Sequence, residues 1–121
     1  FNFVICNIIP INKIIFIFVI SLERMRILTF SKIKDFIKEH PNADVALREW
    51  YYKTKRSEWD HFKDIKKTFN TADYVGNNRF VFNIKGNDFR LVAIIIFASK
   101  KVYIRFIGTH AAYDKIDCLN C

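Results

Sequence analysis

Hydrophobic and polar residues alternate along the segment 73–117, and this alternation predicts three successive β-strands. Gly86-Asn87 is the signal for a two-residue hairpin turn between the first two strands, because glycine supplies the positive φ that such turns require. This turn pairs Asn83 with Arg90, and directly paired residues lie on the same face of a sheet. One face of the predicted sheet is therefore wholly apolar, and its members are Phe82, Ile84, Phe89, Leu91, Ala93, Ile95 and Phe97.

The opposite face of this predicted sheet is polar near the turn. The hairpin register pairs Lys85 with Asp88 and places both beside Arg90 on that face. In the third strand, the positions assigned to the apolar face are Val102, Ile104 and Phe106. Arg105 then joins Arg90 on the polar face, since successive side chains along a strand point to opposite sides. The second strand is apolar on both faces, which predicts that it is the central strand.

The residues before the sheet predict a short strand and three helices. A strand at 26–29 is followed by helices at about 31–39 and 42–53. A third helix is predicted to start at Ser57 and Asp60, which have the spacing of a capping box. These helices cover the apolar face of the strands. The predicted fold class is α+β, a two-layer domain with N-terminal helices packed on a small antiparallel sheet.

The length of 121 residues favours one domain, and 51% hydrophobic residues are enough to form a core. The formal net charge of +8 favours an anionic partner, with nucleic acid first and an acidic protein or a membrane surface behind it. Many small domains are basic for solubility, so charge alone leaves the partner open. The dense basic segment 53–67 is either a solvated helix face or a surface that meets nucleic acid or a partner protein.

The first 24 residues differ in kind from the rest, being rich in Ile, Phe and Asn. Their longest uncharged apolar run, residues 14–20, has seven residues, whereas a membrane-spanning helix needs about 20. No small-residue cleavage site of the kind found in signal peptides follows this run. We therefore expect residues 1–24 to be a non-native upstream extension and 25–121 to be the folded domain. A signal, an anchor or a disordered apolar segment is the alternative.

The cysteines and acidic residues do not predict a metal site. Cys118 and Cys121 form a C-x-x-C pair, but zinc requires two further ligands at suitable spacing. Asp114 and Asp117 likewise lack a third carboxylate or histidine at a spacing typical of a metal nuclease. We expect no metal and no cofactor, and the cysteine usage fits a reducing cytosol.

The polar sheet face carries the residue types that RNA cleavage without a metal requires. A base deprotonates the ribose 2′-OH, which attacks phosphorus; a cation stabilises the added negative charge and an acid protonates the departing 5′ oxygen. Lys85, Arg90 and Arg105 are placed to hold the phosphate, and His110 and Tyr113 follow the third strand. The alternatives at this point are an ordinary surface histidine, a packing tyrosine and charges that solvate the hairpin.

Three motifs follow one another in the second half of the chain: F-N-I-K-G-N-x-x-R-L-V from Phe82, Y-I-R-F from Tyr103 and G-T-H-x-x-Y-D from Gly108. Together they resemble the HigB-type toxins of the RelE superfamily, and the resemblance extends from Met25 to Asp117. It implies an endoribonuclease that cleaves mRNA on the translating ribosome in the cytoplasm. It also implies a HigA-type helix-turn-helix antitoxin as partner, with DNA contacted only through the antitoxin complex, and no membrane.

The same resemblance, followed position by position, implies roles for individual residues. Arg90 and Arg105 are the expected phosphate-stabilising residues, and His110 and Tyr113 are expected nearest the proton transfers. The residues assigned to RNA binding are Lys85, Asn87, Lys100 and Lys101. The alternative function is a non-catalytic RNA- or ribosome-binding module, and a weaker third is a membrane-anchored protein that uses residues 1–24.

Overall fold

A mixed five-stranded sheet with strand order β1-β5-β4-β3-β2 forms the centre of the computed structural model, which describes residues 25–116. The strands are β1 (Arg26–Ile27), β2 (Asp73–Gly76), β3 (Arg79–Ile84), β4 (Phe89–Ile96) and β5 (Lys101–Thr109). The helices are α1 (Phe30–Glu39), α2 (Asp44–Arg56), α3 (Phe62–Thr68) and α4 (His110–Tyr113), with a 3-10 turn at Pro41–Ala43. The predicted extension 1–24 and the tail with Asp117, Cys118 and Cys121 lie outside the described residues.

The predicted α+β class is confirmed, and the sheet has one strand pairing that the alternation did not predict. β1 runs parallel to β5, so the sheet is mixed rather than wholly antiparallel. The predicted central position of β4 is confirmed, because β4 pairs with β3 on one side and β5 on the other. Within residues 25–116, none of the helices has the length and apolar character needed to cross a bilayer.

The β3–β4 hairpin has the predicted register, in which Phe82 pairs with Leu91 and Asn83 with Arg90. Its turn differs from the predicted one. The paired residues end at Ile84 and Phe89, so Lys85 and Asp88 belong to the turn, which the Asp88 N–H closes by donating to the Lys85 carbonyl at 3.1 Å. The positive φ values fall on Lys85 and Gly86, at 54° and 64°, rather than on the Gly86-Asn87 pair.

A β-bulge in β5 overturns the predicted position of Phe106. Ala93 pairs with Ile104 and Val92 pairs with Phe106, which leaves Arg105 without an opposite residue on β4. The extra residue reverses the alternation beyond it. Phe106 therefore lies on the same face as Val92, and the following residue, Ile107, takes the place on the core side that alternation had assigned to Phe106.

The start of α3 also differs from the predicted one, because the backbone N–H groups in this region are hydrogen-bonded to other acceptors than those predicted. Ser57 ends α2 rather than starting α3: its N–H donates to the Thr54 carbonyl. α3 begins at Phe62, where the Asp64 carboxylate accepts hydrogen bonds from the backbone N–H groups of Asp60 and His61 at 3.0 and 3.1 Å. These bonds, the one from Asp60 foremost, lower the pKa of Asp64 below its usual value.

Helices α1, α2 and α3 cover the core face of the sheet with an aromatic-rich interior. Phe82 lies near its centre and is 1% exposed, with ring centroids of Trp50 and Phe69 each at 5.4 Å. Trp59 stacks on the same ring at 6.4 Å and donates its indole N–H to the Thr68 hydroxyl at 3.1 Å. Because the helices cover this face, the chemistry of the domain has to be sought on the opposite one.

Candidate functional site

The sheet face opposite the core, called here the second face, is defined by rows of paired residues on β3, β4 and β5. One row joins Asn83, Arg90 and Gly108, and the next joins Val81, Val92 and Phe106. Val81 and Val92 are buried although they do not belong to the main core. The second face thus has an apolar centre with a polar row beside it.

Arg90 is held in place from two sides. Its Nη1 donates a hydrogen bond to the Asn87 side-chain oxygen at 3.0 Å. Its guanidinium carbon also lies 5.8 Å from the centroid of the Tyr113 ring, within the range of a cation–π contact. The two contacts orient the guanidinium group before any ligand arrives. A planar fork with a fixed orientation suits the recognition of phosphate oxygens.

Tyr113 is positioned at this site by α4, a short capped helix that directly follows β5. The Thr109 hydroxyl accepts a hydrogen bond from the Ala112 N–H at 3.1 Å, which caps α4. The His110 N–H donates to the Asp88 carbonyl at 3.3 Å and ties α4 to the β3–β4 turn. Tyr113 then contacts Phe106, with ring centroids 6.5 Å apart.

His110 lies next to this site on the same short helix. Its Nε2 is 3.5 Å from an Asp114 carboxylate oxygen, and both side chains are about half exposed, at 47% and 59%. The short helix therefore places the His110 imidazole beside an acidic side chain, next to the second face.

The structure brings some of the predicted site residues together and separates others. Asn87, Arg90, Tyr113 and His110 gather where the β3–β4 turn meets the end of β5. Lys85 is exposed in the same turn.

Of the predicted RNA-binding residues, Lys101 begins β5 and Lys100 directly precedes it; Lys101 lies about 26 Å along the strand from Thr109 at about 3.3 Å per residue. The Lys100 ammonium donates to the Trp59 carbonyl at 3.0 Å and is paired with the Asp60 carboxylate. Lys100 thus connects the start of β5 to the segment before α3, while its assignment to RNA binding stays a prediction.

Arg105 is exposed at the bulge, and it lines an open groove of about 350 Å³ between β5 and α1. The groove is also lined by Lys32, Asp35 and Glu39 of α1. The bulge therefore places Arg105 beside acidic and basic groups of a helix, a setting that strand alternation did not predict.

Sequence reasoning missed two residues of the second face, Phe106 and Gly108. Phe106 was assigned to the core because the bulge before it was not recognised. Gly108 offered a signal, since a glycine inside a strand often marks a bulge or the close approach of another group. Among residues 25–116, no three His, Cys, Asp or Glu side chains cluster as metal ligands do.

The profile of a family described as HigB_toxin, the RelE-like toxic component of a toxin-antitoxin system, matches residues 43–116. The chain belongs to this family. The HigB match includes all of β2 to β5 and α4, and therefore every residue of the second face described above.

Individual HigB relatives match over most of their length. The mRNA interferase toxin HigB of Escherichia coli K12 is 31% identical over 93 residues, covering 74% of this chain and 88% of that protein. The mRNA interferase HigB of Escherichia coli O6:H1 is 27% identical over 94 residues, covering 76% of this chain and 91% of that protein. The resemblance to HigB-type toxins carried by the three sequence motifs is thereby confirmed.

Proposed function

We propose that this chain is an endoribonuclease toxin that cleaves mRNA at the second face of its sheet. The observation that carries the proposal is the guanidinium of Arg90, held by the Asn87 side chain and the Tyr113 ring at the end of β5. The HigB family supplies the toxic role, and the relatives in Escherichia coli are named mRNA interferases. The net charge of +8 favours the polyanionic substrate.

The reaction follows from the groups around Arg90. The ribose 2′-OH loses its proton and attacks the adjacent phosphorus, the bond to the 5′ oxygen breaks, and that oxygen takes up a proton. The phosphoryl group carries an added negative charge in the transition state. Arg90 donates to its oxygens in a fixed orientation, which stabilises this charge without reorganisation. Arg105, which lines the groove against α1, is the proposed second cation and would approach the phosphate from that side.

Tyr113 and His110 are the proposed proton-transfer residues. Replacing Tyr113 with phenylalanine keeps the ring beside Arg90 and Phe106 and removes only the hydroxyl. We expect kcat to fall about 100- to 10,000-fold, as is usual for the loss of a general acid or base. Single-turnover cleavage as a function of pH measures the effect for this variant and for His110→Gln. If the Tyr113→Phe enzyme cleaves at the wild-type rate with the wild-type pH profile, Tyr113 takes no part in proton transfer and only packs against its neighbours.

The partners of the proposed toxin are a HigA-type antitoxin and mRNA on the ribosome, in the cytoplasm. Lys85 and Asn87 lie in the turn beside Arg90 and are proposed to bind RNA next to the cleaved phosphate. Lys100 and Lys101 lie too far along β5 for that phosphate. We propose that they bind a separate part of the RNA or of the ribosome.

Induced expression of the full chain in a bacterial host tests the function. We expect growth arrest together with new mRNA 5′ ends inside coding regions, mapped by sequencing of RNA ends, and rescue by the cognate antitoxin. New ends that vanish when translation initiation is blocked would support action on the ribosome. Salt-sensitive RNA binding without new ends would contradict the nuclease and favour a non-catalytic RNA-binding module.

A further inference from the structure

We propose that Phe106 is a stacking platform for an unpaired RNA base next to the phosphate held by Arg90. The inference rests on the proposed function and adds a substrate-positioning residue to it. Its physical basis is the arrangement of Phe106, Tyr113 and Arg90, together with the absence of a side chain at Gly108.

The bulge in β5 moves Phe106 from the core face to the second face. Because Arg105 is the extra residue, Phe106 pairs with Val92, and Ile107 enters the core instead. Phe106 is partly buried and lies outside the core that the helices cover. A large apolar ring therefore lies on the second face, beside the buried Val92 and next to the polar row that contains Arg90.

The Phe106 ring, the Tyr113 ring and the Arg90 guanidinium lie next to one another in that order. The Phe106 centroid is 6.5 Å from that of Tyr113, and the Tyr113 centroid is 5.8 Å from the guanidinium carbon of Arg90. Unpaired bases of RNA are recognised by stacking on aromatic rings, while cationic side chains bind the phosphates. The Tyr113 ring lies between Phe106 and Arg90. This separation suits a nucleotide whose base stacks on Phe106 while Arg90 binds its phosphate.

Gly108 makes room for this ring. A Cβ atom built on Gly108 would lie 2.5 Å from Cζ of Phe106 and 3.1 Å from a second ring carbon. The φ of Gly108 is not in the left-handed region, because the described glycines with positive φ are Gly76 and Gly86. Glycine is thus needed at this position for space rather than for backbone freedom. Gly108 pairs with Arg90, so the ring lies against the backbone beside the arginine.

Fluorescence of 2-aminopurine in RNA reports stacking directly, since its emission is quenched when the base stacks. The probe is a single-stranded RNA with 2-aminopurine next to a mapped cleavage site and a 2′-O-methyl group that blocks cleavage. It is offered free and on programmed ribosomes to the full-length wild type and to Phe106→Leu and Phe106→Trp. We expect quenching with the wild type and Phe106→Trp. We expect Phe106→Leu to lose the quenching and to bind RNA about tenfold more weakly.

Gly108→Ala provides a second, independent variant, because its methyl group displaces the Phe106 ring without removing it. We expect it to lose the quenching, and to cause little further loss of affinity in a Phe106→Leu background, where the ring is absent. The matched control is Tyr74→Leu, which removes an aromatic ring that is 50% exposed on β2; it should quench like the wild type. Melting temperatures of all variants report whether the fold is retained.

The outcomes separate the two proposals. A wild type that cleaves mRNA but never quenches the probe, or a folded Phe106→Leu variant that quenches and binds like the wild type, would overturn the stacking platform and leave the nuclease in place. A wild type that neither binds nor cleaves RNA would remove the proposed function, and the platform with it. Equal losses in Phe106→Leu and Tyr74→Leu would also count against a specific platform.

Discussion

Replacing Arg90 with alanine is expected to lower the rate of mRNA cleavage by about 100- to 1,000-fold, the usual cost of removing one preorganised donor to a developing negative charge. The guanidinium is oriented in advance by Asn87 and Tyr113, so its loss removes stabilisation of the transition state rather than a flexible contact. The effect should fall on kcat more than on KM. Single-turnover cleavage of mRNA in a purified translation system measures it, and growth after induction gives the same result in cells.

Two further variants make the Arg90 experiment specific. Arg48→Ala removes the same charge from the exposed surface of α2, where Arg48 is paired with Asp44, and should cleave at the wild-type rate. Arg90→Lys keeps the charge but not the planar fork, so it should recover only part of the activity. If folded Arg90→Ala remains as toxic as the wild type, the second face is not the active site.

The largest effect on stability is expected from Phe82→Ala, at about 3–5 kcal/mol of the free energy of unfolding. The Phe82 ring is 1% exposed and contacts the rings of Trp50 on α2, of Trp59 in the segment before α3 and of Phe69 directly after α3. Its removal leaves a cavity that these large rigid rings cannot refill without leaving their rotamers. Urea unfolding followed by tryptophan fluorescence measures the loss, and for a domain of this size it is a large part of the total stability.

The matched control for Phe82→Ala is Val45→Ala on α2. Val45 is 82% exposed, so the substitution removes apolar volume from the surface and should change stability by less than about 0.5 kcal/mol. A Phe82→Ala variant as stable as the control would mean that the aromatic cluster does not form the core of the domain.

The fold could be predicted where hydrophobic alternation along two strands is accompanied by a clear turn sequence between them. Asn83 and Arg90 pair as predicted because the polar turn between β3 and β4 leaves one register that buries every apolar side chain. The helices over that face follow from the same reasoning, since an apolar sheet face has to be covered.

The bulge in β5 could not be predicted from alternation, because Phe106 and Ile107 are both apolar. Either residue satisfies the core, and the choice depends on the pairing with β4 rather than on the strand itself. The start of α3 shows the same ambiguity. Asp60 and Asp64 both fit the last position of a capping box, and Asp64 is the one that accepts the backbone N–H groups at the start of α3.

Motifs in the sequence indicate candidate site residues, but the contacts of those residues could not be predicted from it. Arg90 and Tyr113 stand in motifs that suggest phosphate chemistry, but their proximity depends on the Thr109 cap that orients α4. The bonds that Lys100 makes to the carbonyl of Trp59 and to Asp60 cross 41 and 40 residues of sequence. A pattern within one strand carries no information about such a distant partner.

The position of β5 between β1 and β4 determines when the sheet of this toxin can be completed during its synthesis. The hydrogen bond from the Ile104 N–H to the Thr29 hydroxyl spans 75 residues, and among residues 25–116 β5 is the last strand to be synthesised. A nascent chain therefore cannot complete its sheet until residue 109 has left the ribosome, and Tyr113 reaches Arg90 later still. The ribosome that translates this message thus holds an incomplete toxin at every earlier step of synthesis.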